Sequence, residues 1–115
     1  CISDYIFLKD AVQAFILAGV YCGSNKSPFY VIGSGEGRTI ADVWHVIADR
    51  VSLHTGNNVP VRFDPSVKIE PMELRNFVAD NSRFKGLTGW RPQTGLAQGI
   101  DITVRACLSY SGRFL

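Results

Sequence analysis

Charge of either sign is scarce in this 115-residue chain: charged residues make up 19% of it, and the formal net charge at pH 7 is +2. No run of lysine or arginine forms the basic stripe that a nucleic acid or an anionic membrane surface needs, so neither is an expected partner. Long hydrophobic runs are missing as well. The longest, residues 14–20, contains Gly19 and falls far short of the roughly 20 residues that span a bilayer. The first residues are neither basic nor followed by a long apolar core, unlike a signal peptide. Cysteine is sparse. Cys1, Cys22 and Cys107 are odd in number and lack C-x-x-C spacing, which argues against a disulfide framework or a zinc site and suits a reducing cytoplasm. His45 and His54 have no second ligand at metal spacing and read as surface or packing residues. Nucleophile elbows, P-loops and paired-carboxylate sites are also missing. The only methionine is Met72 and the first residue is Cys1, so the expectation is one domain at most, a fragment of a longer polypeptide.

What is present is a succession of short periodic segments. Residues 4–8 form an apolar run of strand type, and Asp10 opens a helix with its carboxylate against the positive end of the dipole. Val12, Phe15, Ile16 and Gly19 recur at i, i+3, i+4 and i+7, which predicts one buried face. Residues 29–32 read as a second strand and residues 33–37 as its turn. Thr39 and Asp42 form a capping box. The helix they open places Ile40, Val43, Trp44, Ile47 and Val51 on one face and ends near Gly56, suited to a left-handed cap. Val59, Val61 and Phe63 alternate around Pro60 and Arg62, predicting a half-buried edge strand. Residues 64–74 are irregular, and a loop of about a dozen residues in so small a domain is more often functional than neutral.

Residues 77–79 read as a fourth short strand, followed by a brief helix capped by Asp80 or Asn81 and broken by Gly86 and Gly89. Trp90 anchors the exit and Pro92 keeps the chain extended. A last helix runs from near Gly95 towards Tyr110, with Leu96, Ile100, Val104, Cys107 and Leu108 at helical spacing. Trp44 and Trp90 read as core. The fold class is α/β, or α+β in isolation, with three or more helices around a few short strands.

Three features invite a chemical reading. Gly33-Ser34-Gly35-Glu36-Gly37 follows a strand and precedes a helix, but the dinucleotide fingerprint needs G-x-G-x-x-G and an acid about 20 residues on. Here the third glycine comes one residue early and Asp64 lies too far along, so a structural glycine turn is the reading. Tyr5 and Lys9 have the spacing of a Y-x-x-x-K catalytic pair. That pair needs a helix, whereas a strand-like run sets them more than about 10 Å apart. Arg75, beside a strand end and an irregular loop, is suited to bidentate contact with a phosphate or carboxylate; a salt bridge to Glu73 or Asp80 is the alternative.

The pattern R-x-F-V-A-D-x-S at residues 75–82, then G-W-x-P at 89–92 and Gly95-Leu96-Ala97-Gln98-Gly99-Ile100, resembles the C-terminal part of the extended short-chain dehydrogenases/reductases. These are NAD(P)-dependent nucleotide-sugar epimerases and dehydratases, and the CDP-tyvelose epimerase type is closest in this stretch. Residues 5–12, Tyr-Ile-Phe-Leu-Lys-Asp-Ala-Val, resemble the family's D-Y-I-x-V-x-D-x-V segment, and residues 29–37 its Y-N-V-G-S-G strand and turn.

The resemblance implies that residues 1–115 are a single C-terminal substrate-binding cap domain whose parent is a cytoplasmic homodimer acting on a nucleotide-sugar. NAD or NADP would be bound mainly by an N-terminal half outside this chain, which itself would hold no catalytic, cofactor-binding or metal residue. Arg75 occupies a substrate-contacting Arg position. Glu73 occupies an acidic position where a carboxylate holds a ribose hydroxyl, or else is a solvated surface residue. Two positions depart from the pattern: Ser3 and Glu70 stand where typical members place diphosphate-gripping arginines. Each such contact is worth about 1.5–3 kcal/mol, so either the substrate differs or other phosphate donors lie elsewhere. The altered positions also suit an alternative, a non-catalytic binding or assembly module that keeps the cap architecture.

Overall fold

The computed structural model describes residues 2–21, 29–68 and 75–110. Its elements are β1 (Ile2–Asp4), α1 (Leu8–Tyr21), β2 (Gly37–Thr39), α2 (Ile40–Thr55), α3 (Ser82–Thr88) and α4 (Leu96–Ser109). β1 and β2 pair antiparallel, with Ile2 opposite Thr39, Ser3 opposite Arg38 and Asp4 opposite Gly37.

The strand expected over residues 4–8 instead ends at Asp4, and α1 is already under way at Leu8. At the end of the ladder the Asp4 carboxylate takes hydrogen bonds from residues 34, 35 and 79. The other three expected strands do not become ladder strands: residues 29–32, 59–63 and 77–79 are irregular. A strand needs a partner. Tyr30 and Ile32 are held by side-chain packing on the core, Pro60 has no N–H to give, and residues 77–79 reach β1 partly through a side chain. There Phe77 N donates to Ile2 O at 2.8 Å, whereas Ala79 N donates to the Asp4 carboxylate at 3.0 Å. Among the described residues the architecture is therefore helical with one small two-stranded sheet.

The core cluster joins Ala14, Phe84 and Trp90, with Ile6, Leu17, Tyr30 and Ile32 packed around it. Phe84 meets the rings of both Tyr30 and Trp90 edge-on, with centroids 5.9 and 5.7 Å apart. Asp10 is buried beside this cluster and ties it to the last third of the chain. Its backbone carbonyl accepts from Trp90 Nε1 at 3.1 Å, and its carboxylate accepts from Thr94 N at 3.0 Å. Trp90 is core, as expected. The face predicted for α1 is not: Val12, Phe15 and Ile16 are exposed, while Asp10 and Ala14 are buried. The helix is apolar on almost every side, so spacing alone cannot choose a face, and small Ala14 permits the closest approach to Trp90 and Phe84.

α2 starts and stops where its local signals place it. Thr39 Oγ1 accepts from Asp42 N at 3.1 Å, and Gly56, at φ 73°, closes the helix with its N–H on Ser52 O. Its inward positions are Val43 and Ala48, whereas Trp44 is half exposed rather than core. Gly86 does not break α3, which runs through it to Gly89 at φ 74°. Asn81 stands at the N-cap of α3 without a side-chain capping bond; its amide Nδ2 instead donates to Gly33 O at 2.7 Å. α4 packs along α2, fastened by a bidentate ion pair in which Arg50 Nε and Nη2 donate to Asp101 at 2.8 and 2.6 Å.

Candidate functional site

The three segments that carry the family resemblance converge on one carboxylate. Asp4 Oδ1 accepts from Ser34 N at 2.8 Å and Ser34 Oγ at 2.6 Å. Asp4 Oδ2 accepts from Gly35 N and Ala79 N, each at 3.0 Å. Burial pushes the Asp4 carboxyl up, but the hydrogen bonds from Ser34, Ala79 and Gly35 outweigh it and hold the group below its ordinary value. Asn76 Oδ1 adds a bond from Ile2 N at 2.8 Å, and Asn81 reaches Gly33 from the other end of the segment.

Close approach explains the glycines. A Cβ at Gly33 would collide with the Ala79 methyl group and come within 2.9 Å of Asp4 Oδ2. Gly35 takes a left-handed φ of 78°, which lets the Ser34 and Gly35 amides aim at the same carboxylate. Those are the amides a pyrophosphate would need from a glycine loop. Both are committed to Asp4, so these residues do not fit a dinucleotide.

Arg75 stands exposed at the start of the segment that Asp4 fastens. The Asp80 alternative does not form: Asp80 Oδ1 instead accepts from Ser82 N and Oγ at 3.1 and 2.6 Å. Among the described residues Arg75 makes no ion pair. Glu73 and Glu70 lie outside the described residues. Tyr5 lies in the irregular stretch before α1 and Lys9 within the helix, so the pair does not share a helical face.

A mixed polar cleft of about 210 Å³ opens beside Tyr5, Ser34, Glu36 and Arg38, walled by residues 92–96. Two apolar cavities of about 430 and 810 Å³ flank α2 and share Ile40, Trp44 and Ile47. Sequence reasoning missed two polar assemblies. Asp4 had only its place in a motif to mark it, with partners 30 and 75 residues away. His54 Nε2 lies 3.0 Å from Asp101 Oδ1, joining the Arg50 pair. The bond from Arg50, set against burial and supported by His54, brings the Asp101 carboxyl down to about 2. No local signal could have linked residues 47 positions apart.

Comparison with known proteins bears out the resemblance to the extended short-chain dehydrogenases/reductases that these three segments carry. No protein-family model matches the sequence. Over 101 residues, 88% of the chain, it is 32% identical to the UDP-glucose 4-epimerase of Mycolicibacterium smegmatis. Over 103 residues it is 26% identical to the dTDP-4-dehydro-6-deoxyglucose reductase of Escherichia coli. The chain spans 29% and 30% of these two relatives.

Its fold matches WbmF of Bordetella bronchiseptica, an enzyme solved with NADH, at a TM-score of 0.67 and 20% identity, covering 98% of this chain and 31% of that one. The same enzyme solved with NAD+ and UDP gives 0.66 and 22%, over 98% of this chain and 30% of that one. The chain is thus similar to nucleotide-sugar epimerases and reductases over about 30% of their length.

Proposed function

We propose that this chain is the substrate-binding cap of an NAD(P)-dependent nucleotide-sugar epimerase or dehydratase, and that it contacts the nucleotide part of the sugar nucleotide. The parent enzyme would be a cytoplasmic homodimer holding NAD(P) in its other portion. The observation that carries the reading is the Asp4 knot, which fixes the segment beginning at Arg75 against β1 and the glycine turn. An exposed guanidinium on a fastened segment can present its planar fork to a diphosphate without first being ordered. Glu73, two residues earlier, would accept from a ribose hydroxyl. The engagement of the Ser34 and Gly35 amides supports assigning the cofactor elsewhere, and no hydride step is assigned to these residues.

The test uses a chimera in which this chain replaces the stretch it matches in the M. smegmatis epimerase, titrated with UDP by calorimetry. Arg75→Ala should weaken UDP binding by about 10- to 150-fold, the equivalent of one lost charged hydrogen bond. Arg75→Lys should recover only part of the loss, since a point charge cannot reproduce the fork. NAD affinity and the melting temperature should hold. Unchanged UDP affinity with a lowered melting temperature would make Arg75 structural and sink the assignment.

A further inference from the structure

The small sheet brings a cation to the position where the sequence has lost one. Ser3 stands where the resemblance implies a diphosphate-gripping arginine, and a hydroxyl carries no charge to replace it. Across the antiparallel ladder Ser3 pairs directly with Arg38. Directly opposed residues send their side chains to the same face, with Cβ atoms about 4.5–5.5 Å apart. The Arg38 guanidinium therefore projects from the face of Ser3, one strand over. β1 also lies between β2 and the segment that follows Arg75, since Phe77 N donates to Ile2 O and Ile2 N to Asn76 Oδ1. Neighbouring strands are about 4.8 Å apart, so Arg38 and that segment flank β1 at roughly 10 Å from each other.

The surroundings of Arg38 suit an anion. It lines the cleft of about 210 Å³ together with Tyr5, whose hydroxyl is a further donor. The Ser34 and Gly35 amides are already committed to Asp4, so side chains must do the gripping. Arg38 is loosely held: its Nη2 lies 3.5 Å from Glu36 Oε2, and the two side chains are 43 and 70% exposed. So exposed a pair contributes little, and a phosphate can displace the carboxylate. Other arginines are engaged. Arg50 is held by Asp101, and the Arg83 guanidinium lies over the Tyr30 ring.

We propose that Arg38 is a phosphate-binding residue of the sugar-nucleotide site, making from β2 the diphosphate contact that Ser3 on β1 does not make. The ligand class is a nucleoside diphosphate or its sugar ester, whose phosphate oxygens accept from a guanidinium fork. The inference rests on the proposed function for the nucleotide; it needs neither Arg75 nor any exposed apolar surface.

The experiment uses the same chimera with the M. smegmatis epimerase, titrated with UDP by calorimetry. Arg38→Ala should weaken UDP binding by about 10- to 150-fold, with NAD affinity and the melting temperature unchanged. Ser3→Arg introduced into the Arg38→Ala chimera should restore much of the loss, because the two positions face each other across the ladder. A residue that merely holds the fold would not be rescued from there. Glu36→Gln should not reproduce the loss; if it does, the Glu36–Arg38 pair is structural and the assignment falls. Unchanged UDP affinity in Arg38→Ala, or a loss that Ser3→Arg cannot repair, would also overturn it. If Arg75→Ala weakens UDP binding while Arg38→Ala does not, the substrate reading stands and this inference alone fails. A chimera that binds no UDP sinks both.

Discussion

Removing the Asp4 carboxylate tests whether the three segments are held by one residue. Asp4→Ala deletes the acceptor for Ser34 N, Ser34 Oγ, Gly35 N and Ala79 N. A hydrogen bond to a charged group contributes about 1.5–3 kcal/mol in isolation. Four bonds to one carboxylate do not add, because losing the first frees the others to relax. Gly35 is exposed and water can replace its bond, whereas Ser34 N and Ala79 N are partly buried and lose more. The expected cost is about 3 kcal/mol, roughly that of two retained bonds.

Urea melts followed by tryptophan fluorescence read it, and a pH series adds a second signature. The folded-state Asp4 pKa lies below its ordinary value of 3.8. Its stabilisation is therefore complete above the ordinary carboxylate range and is lost as pH falls through the depressed value. Asp4→Ala should remove that part of the acid slope. A loss under about 1 kcal/mol, with the acid slope unchanged, would show that the segments hold together without Asp4.

Trp90→Ala should cost about 3–5 kcal/mol through lost burial and the cavity left behind, since the ring is 4% exposed and bonds to Asp10; urea melts decide it, and a change under about 1 kcal/mol would place the ring outside the core. Asp101→Asn should lower the thermal midpoint at neutral pH and flatten its acid dependence. With the folded pKa at about 2 against 3.8, the wild-type advantage should fade between those values as pH falls, and melts between pH 2 and 5 would show whether it does.

The elements legible in the sequence are those whose evidence is local. α2 begins at a Thr39 cap and ends at Gly56 because each signal lies within a few residues of the bond it makes. α4 was legible from its spacing, and Trp90 from its place at a helix exit. What failed depends on partners. The alternation of Val59, Val61 and Phe63 describes one segment, but a strand is a property of a pair, and no described segment pairs with it. The face of α1 failed for a different reason: both sides satisfy the apolar pattern, and the choice was made by Ala14 fitting against Phe84 and Trp90. Arg75 was legible as an exposed cation, whereas the Arg50–Asp101–His54 assembly joins α2 to α4 across a separation that spacing cannot register.

The glycine turn shows why a motif and its chemistry can part company. A glycine-rich turn before a helix offers backbone amides to an anion, and from residues 33–37 alone the anion could be a pyrophosphate. The deciding residue lies 30 positions upstream, where Asp4 supplies the negative charge itself. An internal carboxylate and a bound phosphate make equal use of such a cradle, so the turn's composition cannot distinguish them. Their consequences differ: a phosphate would couple the turn to ligand binding, whereas Asp4 couples it permanently to β1 and Ala79. The same amides cannot serve both. In this chain they are structural, and what they fasten is the segment from which Arg75 projects its charge into solvent.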